Sequence, residues 1–124
     1  MTNPRVLVVD DEPGVAGLVA QALAIRGFEV RTVCSPTEAL ELVKDEPRYD
    51  LLLADVIMPG MCGPELAKRV AELCPTIAIV MMSAFIDCEE LPRAAGFISK
   101  PFLLTDLYSV VEKTLTRGSA PAAA

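Results

Sequence analysis

Val6-Leu7-Val8-Val9-Asp10-Asp11-Glu12-Pro13 decides the fold: four aliphatic residues run straight into acids and a proline. A short apolar run of this kind, rich in valine and bounded by a turn signal, predicts a buried strand. The same figure recurs twice. Leu51-Leu52-Leu53-Ala54 ends in Asp55, and Phe97-Ile98-Ser99 ends in Lys100-Pro101. In a parallel sheet all strand ends of one kind lie on one edge, so these charges are expected to converge on a single crevice. Three carboxylates and one ammonium in a crevice suit a hard divalent cation and a phosphoryl group.

Outward from these landmarks, strand and helix alternate along the whole chain, the pattern of an α/β parallel sheet. Residues 5–10 form the first strand. Residues 13–26 read as a helix with Val15, Leu18, Val19, Ala22 and Leu23 on one face and Gly27 as its stop. Residues 28–33 are the second strand. Ser35-Pro36-Thr37-Glu38 is a capping box with proline at the first helical position, and the helix it opens runs to about Asp45 with Leu40 and Val43 inward. Residues 50–55 are the third strand and Met58-Pro59-Gly60 a turn. Gly63-Pro64 opens a helix to Leu73, with Leu66 and Val70 facing the core.

Ile77-Ala78-Ile79-Val80-Met81-Met82 is the fourth strand, apolar throughout as burial on both faces demands. Residues 87–95 read as a short helix interrupted by Pro92, and residues 96–99 as the fifth strand. The last helix runs from Leu104 to about Leu115, with Leu104, Leu107, Val111 and Leu115 on one face, and Arg117-Gly118 ends it. One domain over residues 1–118 is expected, with residues 119–124 as an alanine-rich tail or linker.

The 124 residues suffice for one core of ordinary size, and 52 % hydrophobic with 23 % charged residues is a globular balance. No apolar run approaches the roughly 20 residues that span a bilayer, and the N-terminus enters a strand without a signal-peptide pattern. The expected compartment is the cytoplasm, with no membrane partner. A net charge of −6 and no basic stripe argue against nucleic acid as a partner. Cys34, Cys62, Cys74 and Cys88 form no CxxC pair and there is no histidine, which disfavours zinc and favours free thiols. Cys62 is the thiol that follows Asp55 most closely.

Three carboxylates on one edge repel one another: at 4 Å and an effective dielectric of 20, each pair costs about 4 kcal/mol. Protonation or a bound cation relieves this. An all-oxygen site open to solvent favours Mg²⁺ with several waters retained.

Val8-Val9-Asp10-Asp11-Glu12-Pro13, Asp55-Val56-Ile57-Met58-Pro59-Gly60-Met61-Cys62-Gly63, Met82-Ser83-Ala84 and Lys100-Pro101-Phe102 together resemble the receiver domain of two-component response regulators, the CheY-like family. The resemblance covers residues 4–117. It implies a doubly wound, flavodoxin-like sheet of five parallel strands in the order 2-1-3-4-5. It implies Asp55 as phosphoacceptor, assisted by Lys100 and Ser83. It implies Mg²⁺ (or Mn²⁺) held by Asp10, Asp11, Asp55 and the main-chain carbonyl of Ile57. Lys100-Pro101 resembles the family's cis peptide, and Ser83 and Phe97 its conformational switch. The implied partner is a histidine kinase or a histidine phosphotransfer domain, docking around Asp55 and the first helix near Pro13, Gly14 and Gly17. Fusion to a hybrid kinase is compatible with the Phe97–Phe102 segment.

Two departures from the family pattern carry expectations. The stretch from Ser83 to Lys100 is more than a helical turn shorter than usual, so a shortened fourth helix is expected. Ile57 is apolar where polar residues are common, and a longer-lived phosphate is expected from it. Three other functions compete. A metal-dependent phosphatase usually places a second acid two residues after its nucleophile, where this chain has Ile57. A flavin or nucleotide module needs a glycine- or hydroxyl-rich loop after the first strand, where this chain has Asp10-Asp11-Glu12-Pro13. A degenerate receiver used only for binding would have no need of the intact acidic set and Lys100.

Overall fold

The computed structural model describes residues 3–84 and 96–119, with side chains through residue 116. Five strands, β1 (Arg5–Val9), β2 (Glu29–Val33), β3 (Leu51–Asp55), β4 (Ala78–Ser83) and β5 (Gly96–Ser99), form one parallel sheet in the order β2-β1-β3-β4-β5. Four helices accompany them among the described residues: α1 (Pro13–Ile25), α2 (Pro36–Asp45), α3 (Gly63–Leu73) and α4 (Leu104–Ser119). The helix expected over 87–95, and with it the expected shortening, lies outside the described residues.

Alternation along each strand builds two cores. Leu7, Val9, Leu52, Ala54, Ile79 and Met81 face α2 and α3, where Val43, Leu66 and Val70 close the layer. Val6, Val8, Leu51, Leu53, Val80, Met82 and Ile98 face α1 and α4, where Val19, Leu23, Leu107 and Val111 do the same. This is the doubly wound arrangement. Helices on both faces require strands apolar on both sides, which is why β1, β3 and β4 read as continuous hydrophobic runs.

The local signals act as the sequence suggests. Ser35 Oγ accepts the Glu38 N–H at 3.2 Å at the start of α2. Gly27 and Gly60 take φ of +92° and +88°, closing α1 and the Pro59-Gly60 turn in the left-handed region that glycine tolerates. Strand and helix ends differ from expectation by one residue at several places, where ladder hydrogen bonds rather than hydropathy set the limits.

Three readings need correction. Leu18, expected inward, is 55 % exposed. Helix α1 carries no charged residue, so its composition does not choose a face; successive residues are about 100° apart, and Leu18 falls outside the stripe centred on Val19. Leu104 is 41 % exposed, because a first-turn side chain tilts back toward the incoming loop rather than over the sheet. Helix α4 also runs on to Ser119, past the expected stop at Gly118. A glycine costs a helix only about 1 kcal/mol and does not end one by itself. Among the described residues no helix is long and apolar enough to cross a membrane.

Candidate functional site

The carboxyl ends of β1, β3, β4 and β5 meet at one edge. Asp10 follows β1, Asp55 ends β3, Ser83 ends β4 and Lys100 follows β5. Strand register sets their level: Val9 lies beside Ala54, Asp55 beside Met82, and Ser83 beside Ser99. Asp10 and Asp55 therefore leave the sheet side by side, and Lys100 reaches back to them from one step further on.

The two aspartates are held in the same way. Oδ1 of Asp10 accepts the backbone N–H of Glu12 at 2.9 Å, and Oδ1 of Asp55 accepts that of Ile57 at 3.1 Å. Each is an aspartate bonding the backbone two residues on, which fixes the side chain against its own turn. Each Oδ2 then accepts from Lys100 Nζ, both at 2.8 Å. Asp10 is fully buried and Asp55 nearly so. Asp11 is exposed at the rim, yet one ligand oxygen from each of Asp10, Asp11 and Asp55 falls within 4.8 Å of the others.

Burial opposes the charge on Lys100, but its hydrogen bonds to Asp10 and Asp55, with the charges of those carboxylates, outweigh that and raise its pKa above the ordinary 10.5. The ammonium is thus charged at any physiological pH. The Lys100-Pro101 peptide is cis.

Asp11, Glu12, Asp55, Ile57, Ser83, Ala84 and Lys100 line a crevice of about 260 Å³. A larger and more open hollow of about 560 Å³ lies beside β2 and α2, but its acids Glu38, Glu41 and Asp45 are all exposed. The buried Asp55 in its lining, not volume, distinguishes the crevice. Ser83 is buried, and its carbonyl accepts the Lys100 N–H at 2.7 Å. Ala84 and Ile57 are exposed at the mouth. Phe97 is half-buried on β5 against the α2/α3 core.

The structure thus brings Asp10, Asp11, Asp55, Ser83 and Lys100 together and leaves Phe97 outside the lining of the crevice. Glu12 had no role in the sequence reading and lines the crevice; its place directly after Asp10-Asp11 was the signal. Cys62 sits exposed at the start of α3, Cys34 is exposed and Cys74 is buried, all as free thiols, while Cys88 is outside the described residues.

A cluster of hard oxygen donors with several open positions fits Mg²⁺ rather than a softer metal. A sequence model described as "Response regulator receiver domain" matches residues 6–112. The chain belongs to that family. It is 34 % identical over 116 residues to the response regulator receiver protein CpdR of Brucella abortus, covering 90 % of this chain and 96 % of that one. It is 34 % identical to part of the sensor kinase CckA of the same organism, where it spans 93 % of itself but only 13 % of the kinase. Among solved structures, the receiver domain of the hybrid histidine kinase CckA superposes with a TM-score of 0.79 at 33 % identity, covering 90 % of this chain and 98 % of that one. Chemotaxis protein CheY4 of Vibrio cholerae gives 0.84 at 28 % identity, covering 91 % and 99 %. The receiver is a phosphoacceptor domain of two-component phosphorelays, a signalling module rather than an enzyme that turns over a substrate. Receiver domains bind Mg²⁺ through an acidic cluster, and the grouped Asp10, Asp11 and Asp55 are of that kind.

Proposed function

We propose that Asp55 is the residue of this receiver that takes the phosphoryl group, that Lys100 and Ser83 assist, and that Asp10, Asp11, Asp55 and the Ile57 carbonyl hold Mg²⁺ or Mn²⁺. The single observation that carries this is Lys100 Nζ at 2.8 Å from both Asp10 and Asp55, with Asp11 completing the acidic group. A carboxylate oxygen of Asp55 bonds to phosphorus as the P–N bond of a phosphohistidine breaks, and the imidazole leaves with the bonding electrons and takes up a proton. Lys100 is close enough to Asp55 to neutralise an oxygen of the arriving group. When bound, the divalent cation supplies further neutralisation of those oxygens. The hydroxyl of Ser83 donates to a phosphoryl oxygen, and the small Ala84 leaves room for it. The chain would thus catalyse only its own phosphorylation and dephosphorylation.

The signal is a change in packing. Phosphorylation replaces the single negative charge of Asp55 with a group carrying about one and a half to two, and its strong acceptor oxygens draw Ser83 inward. Phe97, half-buried beyond β4, then turns into the space behind it. Having no hydroxyl, it reads out by packing alone. The two states must lie close in energy, since only differential stabilisation shifts the population. The donor is a histidine kinase or histidine phosphotransfer domain in the cytoplasm, seated around Asp55 and the exposed Pro13, Gly14 and Gly17 of α1. The donor can be a separate protein or, as in CckA, part of a hybrid kinase. Intact mass after incubation with acetyl phosphate and Mg²⁺ tests the proposal. One phosphoryl group is expected on the parent chain and none on Asp55→Ala; equal labelling of the two would refute it.

A further inference from the structure

Two glycines are crowded for different reasons. A Cβ at Gly63 would overlap the Asp55 carbonyl oxygen and lie 2.9 Å from Val56 Cα and 3.0 Å from the Asp55 carbonyl carbon. A Cβ at Gly96 would meet Thr114 Oγ1 at 2.5 Å, Val110 Cγ1 at 3.1 Å and Val80 Cγ2 at 3.3 Å. The obstacles at Gly96 are side chains, able to rotate. Those at Gly63 are backbone, and the backbone is that of Asp55. Gly63 is not in the left-handed region, so room, not φ, is what requires glycine there.

We propose that Gly63 is a positioning residue for Asp55: its missing side chain lets the first turn of α3 press directly on the Asp55-Val56 peptide. This rests on the reading of Asp55 as the phosphoacceptor. That peptide and the Val56-Ile57 peptide after it are held by three hydrogen bonds. The Gly63 N–H donates to the Val56 carbonyl at 2.8 Å, and the Val56 N–H donates to the Met82 carbonyl on β4 at 2.8 Å. The Ile57 N–H returns to Asp55 Oδ1. Helix α3 cannot yield outward without pulling Leu66, Ala67 and Val70 from the core. Added bulk at position 63 therefore displaces the peptide and carries the Asp55 side chain away from Lys100 and Asp10. Gly96 starts β5, whereas Lys100 follows its other end, so crowding there strains the packing of α4 without reaching the carboxylates.

The test compares Gly63→Ala with Gly96→Ala as a control of similar crowding. A displacement near 1 Å at reacting atoms costs on the order of 10²-fold, so the saturating rate of labelling by acetyl phosphate should fall by about that in Gly63→Ala, its apparent KM changing little. Mn²⁺ affinity, read by the paramagnetic signal of the free ion, should weaken too. Gly96→Ala should lose thermal stability yet keep the parental rate and Mn²⁺ affinity. Equal rates and affinities in the two folded variants would overturn the proposal. Should Gly63→Ala not fold, Leu66→Val carries the test, since it loosens the same turn of α3 without adding bulk. A saturating rate no lower than that of Val70→Ala, one turn along, would then count against Gly63. If the parent and Asp55→Asn both stay unlabelled, the phosphoacceptor reading fails by itself, and the Mn²⁺ comparison still decides the role of Gly63.

Discussion

The two edges of the sheet each hold a cation among acids, and they behave differently. At the carboxyl edge Lys100 bridges Asp10 and Asp55, with its side chain 15 % exposed and that of Asp10 at 0 %. At the amino edge Arg5 pairs with Glu46 at 2.9 Å and lies 4.9 Å from the centroid of the Tyr49 ring, but the Glu46 side chain is 59 % exposed. The hydrogen bond between them holds Arg5 above and Glu46 below their ordinary pKa values. Water competes for the amino-edge pair, and exposed pairs of this kind add little to stability. Water reaches the carboxyl-edge pair only through the crevice, so charge there is worth more and a missing partner is felt. Residue type follows the same division. A planar guanidinium suits a fixed surface fork over an aromatic ring, while a compact ammonium on a flexible stem suits a place shared by two carboxylates.

Removing the proposed acceptor should break the comparison most completely: Asp55→Asn should abolish acetyl phosphate labelling by intact mass, whereas Glu46→Gln should label at the parental rate. Lys100→Met leaves buried Asp10 without its cation. With EDTA present it should lose about 1–3 kcal/mol in urea unfolding, the cost of an unsatisfied buried group, and Mg²⁺ should restore part of this.

The raised Lys100 pKa adds a pH test. A raised folded-state pKa contributes stability that is fully present below 10.5 and lost as pH rises through the folded value. The stability gap between parent and Lys100→Met in EDTA should thus be widest near neutrality and close above that pH. A gap that persisted there would mean that Lys100 acts through packing alone.

Ile57 sharpens the comparison at its rim. It is 57 % exposed at the crevice mouth, where an apolar side chain would hinder water in approaching a phosphoryl group on the proposed acceptor Asp55. Ile57→Asn should shorten the phosphate lifetime several-fold, followed by loss of the phosphorylated mass after donor removal; an unchanged or longer lifetime would refute the role. The smallest effect belongs to the amino edge, where Arg5→Gln should leave the urea midpoint almost unmoved.

Much of this was legible locally. Strand period, capping at Ser35 and the stop at Gly27 are written in neighbouring residues, and so is the charge that ends each of β1, β3 and β5. What was illegible depended on neighbours distant in sequence. The place of Leu18 on α1 could not be read because Leu18, Ile25 and the buried Val19 and Leu23 are all apolar, and only the packing of α1 on the sheet and beside α4 decides between them. Tyr108 of α4 marks that seam, donating its hydroxyl to the Ala22 carbonyl at 3.0 Å beneath the guanidinium of Arg26. Gly63 looked like a helix opener, because a clash with a backbone eight positions earlier leaves no trace in composition.

The sequence by itself determined the alternating elements, the family and the residue types that end the strands. Those follow from period, turn chemistry and residue type, which act over a few neighbouring positions. Only the tertiary structure decided that Asp10 and Asp55 share one ammonium, that Asp11 stands at the rim, and that α3 rests on the peptide after Asp55. These are distances between strand ends, and they exist only once sheet order and register have brought separate parts of the chain to one edge.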